Sequence, residues 1–258
     1  MNSSSALDKR SPEILSPLKN HLLAALSPEV QDRIFPQLER VTLKLGEVLY
    51  ESGDTLKNVY FPIDCIVSLL YVMENGSSAE IAVVGNEGIV GVALFMGGES
   101  TPGRAVTQST GVAYRLAGQK MKDEFNRHSD VLHLLLRYTQ TLITQMTQTA
   151  VCNRHHSIDQ QLCRWLLLSL DRLPGNQLNM TQELIANMLG VRREGVTEAA
   201  GKLQKLGVIQ YNRGHITVLD RPHLEKLSCE CYAVVRRETN RLLPHVPYKP
   251  GQIKSLRE

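Results

Sequence analysis

Residues 178–221 read LNMTQELIANMLGVRREGVTEAAGKLQKLGVIQYNRGHITVLDR, and their pattern decides how the C-terminal part of the chain folds. Thr181 stands where a helix N-cap belongs, with Glu183 in the first turn; a threonine oxygen there accepts from amides that the helix leaves unpaired. Leu184, Ile185, Met188 and Leu189 form one apolar face, and Gly190 ends the helix, because the left-handed conformation at that point suits a residue without a Cβ. A second helix begins within three residues, with Val196, Ala199, Ala200, Leu203 and Leu206 on its inner face. Ala199, Ala200 and Gly201 are small, which predicts close approach to neighbouring elements along that stretch. Residues 208–211, a turn at Asn212-Arg213-Gly214, and residues 215–218 read as a two-stranded wing.

Two short helices joined by a glycine-containing turn make a helix-turn-helix. The outer side of the second helix carries Arg192, Arg193, Glu194, Thr197 and Glu198. Such a helix end enters the major groove, where arginine bonds O6 and N7 of guanine and glutamate accepts from the cytosine amine. Lys202 and Lys205, further along, suit phosphates, and Arg213, in the wing turn, is a further DNA-contact candidate. Periodicity alone also allows a pair of core helices with a solvated charged side. The cap, short turn, basic start and hairpin at matched offsets favour the DNA-reading arrangement.

Moving toward the N-terminus, residues 157–173 form an amphipathic helix stopped by Pro174-Gly175. Residues 130–152 hold no Gly or Pro and carry apolar residues at helical spacing. A helix of that length spans about 35 Å, which suits one that joins domains and packs on its twin in a dimer; a single long core helix is the alternative. From Val41 to Leu116, short β-branched runs alternate with glycines, and Asn75-Gly76 marks a hairpin turn, so this part predicts a β-sandwich or roll. Residues 18–40 read as helical, with Ser27 as N-cap and Pro28 at the first helical position. The Ser- and Pro-rich residues 1–17 are expected to be disordered. Residues 223–243 form an amphipathic helix, followed by a Pro- and Lys-containing tail. The expected units are therefore 1–17, a sensor at 18–128, a dimer helix at 129–153, a winged helix-turn-helix at 154–222 and an extension at 223–258, in an α+β fold.

Charge is distributed unevenly. Residues 41–126 hold ten acids against six bases, whereas residues 154–221 hold nine bases against six acids. An acidic front and a basic rear fit a sensor joined to a nucleic-acid module. The five cysteines are odd in number and scattered, which favours a reducing compartment over a disulfide framework. The first residues lack an apolar signal region, and no stretch nears 18 uninterrupted apolar residues; the expectation is a cytoplasmic protein with no membrane partner. Paired catalytic carboxylates, a Ser-His-Asp context and a phosphate-binding G-x-x-x-x-G-K are not found, so no enzyme is expected. The second reading is a ligand sensor whose helix-turn-helix contacts protein in place of DNA.

The order of β-rich domain, long helix and winged helix-turn-helix resembles the bacterial cyclic-AMP receptor and fumarate–nitrate regulator (Crp/Fnr) family over roughly residues 20–222. The resemblance implies that Arg193-Glu194 reads bases, that Glu198 takes a third base-reading position usually basic or polar, and that Thr181 holds a phosphate. It implies an effector site at Gly91, Val92, Arg104, Ala105 and Thr147. Arg104-Ala105 matches the pair that holds a cyclic phosphate. In that family a glutamate after a glycine would hold the ribose hydroxyl, but here Ile89 follows Gly88 and Val92 follows Gly91. An apolar residue in either register cannot accept that bond, which argues against cyclic AMP, leaves another anion open and the effector unknown. Arg104 is otherwise a surface arginine paired with Glu99 or Glu87. Residues 1–40 hold no cysteines, so no iron–sulfur cluster is expected. Cys152, His155 and His156 supply too few clustered ligands for a metal or haem. Cys229 and Cys231, read as helical, point to different faces and suggest packing, so no metal site is expected. The implied partners are double-stranded DNA with a near-palindromic operator, a second copy of the chain, and RNA polymerase.

Overall fold

The computed structural model of the chain describes residues 16–127 and 130–243. The segment expected to be disordered lies almost wholly outside them, as does the tail beyond residue 243.

Two short helices, α1 (His21–Ala24) and α2 (Pro28–Ile34), lead into the β-rich part. Ser27 is the N-cap of α2 and Pro28 its first residue, as expected, although the Ser27 hydroxyl makes no capping bond. The strands are β1 (Glu39–Leu43), β2 (Val48–Tyr50), β3 (Asn58–Pro62), β4 (Val67–Val72), β5 (Ser78–Val84), β6 (Gly103–Thr107) and β7 (Gly111–Ala117). They form two antiparallel sheets, ordered β1-β7-β3 and β2-β6-β4-β5. Leu43, Cys65, Val67, Leu69, Ala82, Val84, Val90, Ala105 and Ala113 fill the space between them. The β4–β5 turn departs from expectation in detail. Gly76 has a positive φ but Asn75 does not, and Met73 N donates to Ser77 O at 2.8 Å. A longer loop with one left-handed residue thus replaces the two-residue Asn-Gly turn.

Helix α3 (Gly118–Asn126) precedes the long α4 (Asp130–His155). One side of α4 is buried through Val131, Leu134, Leu135, Tyr138 and Leu142. Then come α5 (Ile158–Leu170), β8 (Gln177–Asn179), α6 (Gln182–Leu189), α7 (Arg193–Lys205), β9 (Ile209–Asn212) and β10 (His215–Val218). Ser157 and Gln160 form a reciprocal capping box at the start of α5, which separates it sharply from α4. The wing has three strands and not two, in the order β8-β10-β9. Leu178 pairs with Ile216, both buried, so the short segment before α6 is drawn into the sheet by a shared apolar side.

The extension was expected as one helix over residues 223–243; it is two. Helix α8 (Arg221–Leu227) ends at Ser228, and α9 (Glu230–Leu242) starts after Cys229. Both joining residues are extended, with ψ of 156° and 165°. Helix α9 runs back along α4: Cys231 meets Cys152 near the α4 C-terminus, and Leu243 joins the apolar cluster that includes Leu134 and Tyr138 of the first half of α4. Two of the three arginines of α9 engage this chain's own acids, Arg236 lying 3.5 Å from Glu225 and Arg241 2.7 Å from Glu238.

A buried polar knot ties these parts together. Arg172, just past α5, donates from Nε to Glu87 Oε1 at 2.6 Å, from Nη2 to Gln145 Oε1 at 2.9 Å and from Nη1 to Leu168 O at 2.7 Å. One guanidinium thereby joins the β-roll, the long helix and the DNA-reading part. Nearby, Trp165 Nε1 donates to Glu80 Oε1 at 3.1 Å, and burial pushes the Glu80 carboxyl up to about 7.

Candidate nucleic-acid interface and sensor site

Thr181 caps α6, its Oγ1 accepting from Leu184 N at 3.3 Å. Gly190 closes the helix with φ of 66°, and Arg192, extended, precedes the first turn of α7. This arrangement follows from the local sequence: a β-region cap, a left-handed stop and an apolar inner face. Val196, Ala199, Ala200 and Leu203 face inward and are buried. Ala199 and Ala200 are packed as expected, but the third small residue is not. Gly201 has open space around its Cα, whereas a Cβ on Gly195 would sit 2.7 Å from Ile158 Cδ1. Helix α7 therefore presses on α5 at its first turn and faces a hollow near its middle.

Arg192, Arg193, Glu194, Thr197, Glu198, Lys202 and Arg213 are all exposed. Thr181, Arg193, Thr197, Gly201, Tyr211 and Arg213 border one cleft of about 610 Å³ between α6, α7 and the wing. Tyr211 braces the cleft, its amide donating to Gln204 Oε1 and its hydroxyl to Met180 O, both at 2.8 Å. Thr197 Oγ1 donates to Gln182 Oε1 at 2.8 Å, linking the two helices. Arg213 and Gly214 both take positive φ, 46° and 85°, the geometry of a tight two-residue turn that matches strand twist. A non-glycine residue there is strained, and it holds a cation at the wing tip. Lys202 lies 3.1 Å from Asp159 and 3.0 Å from Glu198. Its ammonium, read as free for phosphate, is shared between two carboxylates, and Glu198 is correspondingly occupied.

The sensor candidates come from three elements, with Val92 packed against the apolar cluster that holds Ala105. Gly91 has φ of 104° and opens a short 3-10 turn, Val92–Leu94; a Cβ on it would lie 3.2 Å from Asn58 O. Arg104 and Ala105 lie on β6, paired with β4. Arg104 Nε is 3.0 Å from Glu51 Oε2, so its partner is neither acid expected from sequence. Glu99 pairs with Lys122, and Glu87 with Arg172. Thr147 is exposed, its hydroxyl donating to Ile143 O within the helix, whereas Leu142 and Met146 turn toward the roll. A hollow of about 410 Å³ in the roll is lined by Leu49, Tyr50, Leu56, Lys57 and Tyr60 among others, and by none of the five candidates.

A further group of side chains meets at the end of α4. Cys152, His156, Cys229 and Cys231 place one Sγ or ring nitrogen each so that all four atoms lie within 4.8 Å of one another. The expectation that Cys229 and Cys231 point to different faces is corrected. Cys229 is the extended N-cap of α9 and not helical, so the helical angle between positions i and i+2 does not apply, and both thiols turn inward. His155, its neighbour, is exposed.

A β-roll joined by a long helix to a winged helix-turn-helix defines a sensor-coupled DNA-binding protein. The family model of the cyclic nucleotide-binding domain matches residues 40–128 and that of the Crp-like helix-turn-helix domain residues 160–227. The chain belongs to the Crp/Fnr family and is a DNA-binding transcription regulator gated by a ligand, not an enzyme. Solved structures share the fold. A Crp/Fnr-family protein of Eubacterium rectale is 18% identical over 80% of this chain and 96% of its own, with a TM-score of 0.63. The c-di-GMP responsive global regulator CLP of Xanthomonas campestris is 16% identical over 74% and 99%, with a TM-score of 0.60. A Crp/Fnr-family regulator of Thermus thermophilus is 23% identical over 74% and 98%, with a TM-score of 0.57. No curated protein matches the chain. Among the described residues no helix is long and apolar enough to cross a membrane.

Proposed function

We propose that the chain acts in the cytoplasm as a homodimer that reads a near-palindromic operator through α7 and acts on transcription through RNA polymerase. The observation that carries the dimer is a stripe along α4. Leu136, Gln140, Ile143, Thr147, Ala150 and Arg154 are all exposed, and their alternating spacing of four and three is that of a coiled-coil seam. Leu136 and Ile143 are each 49% exposed, which favours a second copy as cover. Thr147 belongs to this seam. In a dimer it would approach the partner's effector site, which accounts for its distance from the pocket residues of its own chain.

Within each half-site, Arg193 is the reader of guanine, with Glu194 and Thr197 beside it and Arg192 at the groove edge. Thr181 and Arg213 hold phosphates on either side of the cleft. Lys202 orients Glu198 and Asp159 and contributes less to phosphate binding than its charge implies. In the roll, an anionic group of the effector would take Arg104 from Glu51. The sensor would occupy residues 18–128, the seam helix 129–153, the DNA module 154–222 and a strap 223–258.

Sedimentation of wild type and Ile143→Glu, combined with selection on random duplexes, tests this. The expected result is a wild-type dimer that enriches an inverted repeat with half-sites about one helical turn apart, and a monomeric variant that does not. A wild-type monomer at micromolar concentration, or no enriched sequence, would sink the reading.

A further inference from the structure

We propose that Cys152, His156, Cys229 and Cys231 form a mononuclear zinc site that staples the end of α4 to the start of α9. The distances fit one ion. Cys152 Sγ lies 3.6 Å from Cys229 Sγ, and Cys231 Sγ lies 3.6 Å from His156 Nδ1. A tetrahedral zinc with Zn–S bonds of about 2.3 Å separates its sulfurs by roughly 3.8 Å. A cubane cluster holds its thiolates on separate corners and needs them spread more widely than the 4.8 Å that encloses all four atoms here. Three sulfurs and one imidazole form a closed Cys3His set of the kind used by structural zinc, and soft thiolates select against magnesium or calcium.

The surroundings complete the site. His156 Nε2 lies 3.3 Å from Glu230 Oε2. A proton on Nε2 directed at that carboxylate leaves the Nδ1 lone pair for the metal, the outer arrangement typical of ligating histidines. The three cysteines are at most 5% exposed, so water does not compete. Three thiolates and Zn2+ leave the centre with one net negative charge. Arg164 is 4% exposed; its Nη1 donates to Thr149 Oγ1 at 3.2 Å, one turn before Cys152 on α4, and its Nε has no hydrogen-bond partner. Glu80 already faces that guanidinium, and a negatively charged metal–thiolate centre would add to the compensation a buried guanidinium needs. Loading from aqueous Zn2+ exchanges the ion's coordinated waters for four protein ligands and releases the thiol protons to solvent, with no change of oxidation state.

The site crosses the junction at Ser157, where α4 gives way to the DNA-reading part. Cys152 and His156 precede the junction, and Cys229 and Cys231 follow the whole winged domain in sequence. An ion there holds the domain from both of its ends.

The full-length protein, stripped and reloaded with Zn2+, is expected to retain one zinc per chain and release up to three protons. Loading with Co2+ should give a thiolate charge-transfer band and the intense d–d bands of tetrahedral cobalt. Cys231→Ser should weaken retention at least tenfold and Glu230→Gln about 10–100-fold, while Cys65→Ser, inside the roll, leaves it unchanged. A weak octahedral cobalt spectrum, zinc retained equally by Cys231→Ser, or the broad visible absorption of an iron–sulfur cluster would each overturn the proposal. If Cys231→Ser does not fold, the wild-type cobalt spectrum and proton count decide alone. None of these readouts uses DNA, so their outcome is separate from that of the operator experiment.

Discussion

The winged helix-turn-helix and the β-roll carry equal weight in the family plan but are built on different principles. In the DNA-reading part, the side chains that matter come from one stretch of about forty residues and stand on the surface of capped helices and a tight turn. In the roll, the residues expected to hold an effector come from separate elements: a 3-10 turn, the β6 strand and the far side of α4. What dominates there is a set of buried polar contacts with the DNA-reading part, through Arg172, Glu87, Gln145, Trp165 and Glu80. A surface that reads a large ligand is fixed by local conformation. A sensor must converge distant segments and transmit the result, so its polar groups are committed to coupling.

The largest test of this contrast is the buried ion pair. Glu87→Ala strands the Arg172 guanidinium, and losing one partner of such a pair costs about 3–5 kcal/mol. Urea denaturation should show a loss of unfolding free energy of that size, whereas alanine at Arg192 or Glu194 should leave it nearly unchanged. A near-neutral Glu87→Ala would mean the knot does not hold the two parts together.

Next comes Glu80, faced by Trp165, Arg164 and Arg172 from the α5 side and Ser68 from β4. Its folded value of about 7 exceeds the unfolded value near 4.3, so the folded state binds the extra proton. The stabilising effect is full below about pH 4.3 and is lost as pH rises through 7. Comparing wild type with Glu80→Gln from pH 5 to 8 should show the difference in stability widening against the wild type as pH rises; parallel curves would refute the assignment.

On the DNA side, Arg193→Ala should reduce discrimination between cognate and substituted operators by about 1–3 kcal/mol, the value of one bidentate guanine contact. Non-specific affinity and salt slope should change little. Equal losses on all duplexes would make Arg193 a phosphate contact instead. Arg213→Asn is the smallest effect. Asparagine tolerates the left-handed conformation better, so thermal stability should hold or rise by up to about 1 kcal/mol, while the salt slope of binding falls by about one. A rise in affinity would show that the wing does not touch the backbone.

Much of the molecule was legible in its residues because the signals are short-range. Thr181 and Gly190 bracket α6, Pro174-Gly175 marks the stop after α5, and the glycine-punctuated β-branched runs from Val41 announce the roll. The third wing strand was missed because Gln177–Asn179 is too short to show alternation and is defined only by pairing with β10. The partner of Arg104 was misread because Glu51 is brought to it by sheet pairing, not by sequence proximity. The Cys152 and Cys229 halves were each visible, but Cys229 was read as helical and the two lie 77 residues apart.

The sequence by itself determined the order of the parts and the caps and stops of the helix-turn-helix, because each rests on residue type at short spacing. Only the tertiary structure decided that α9 folds back along α4, that Arg172 links the roll to the DNA-reading part, and that three cysteines and a histidine share one point. Those depend on which distant surfaces bury each other, and burial between remote segments leaves no periodic trace in the chain.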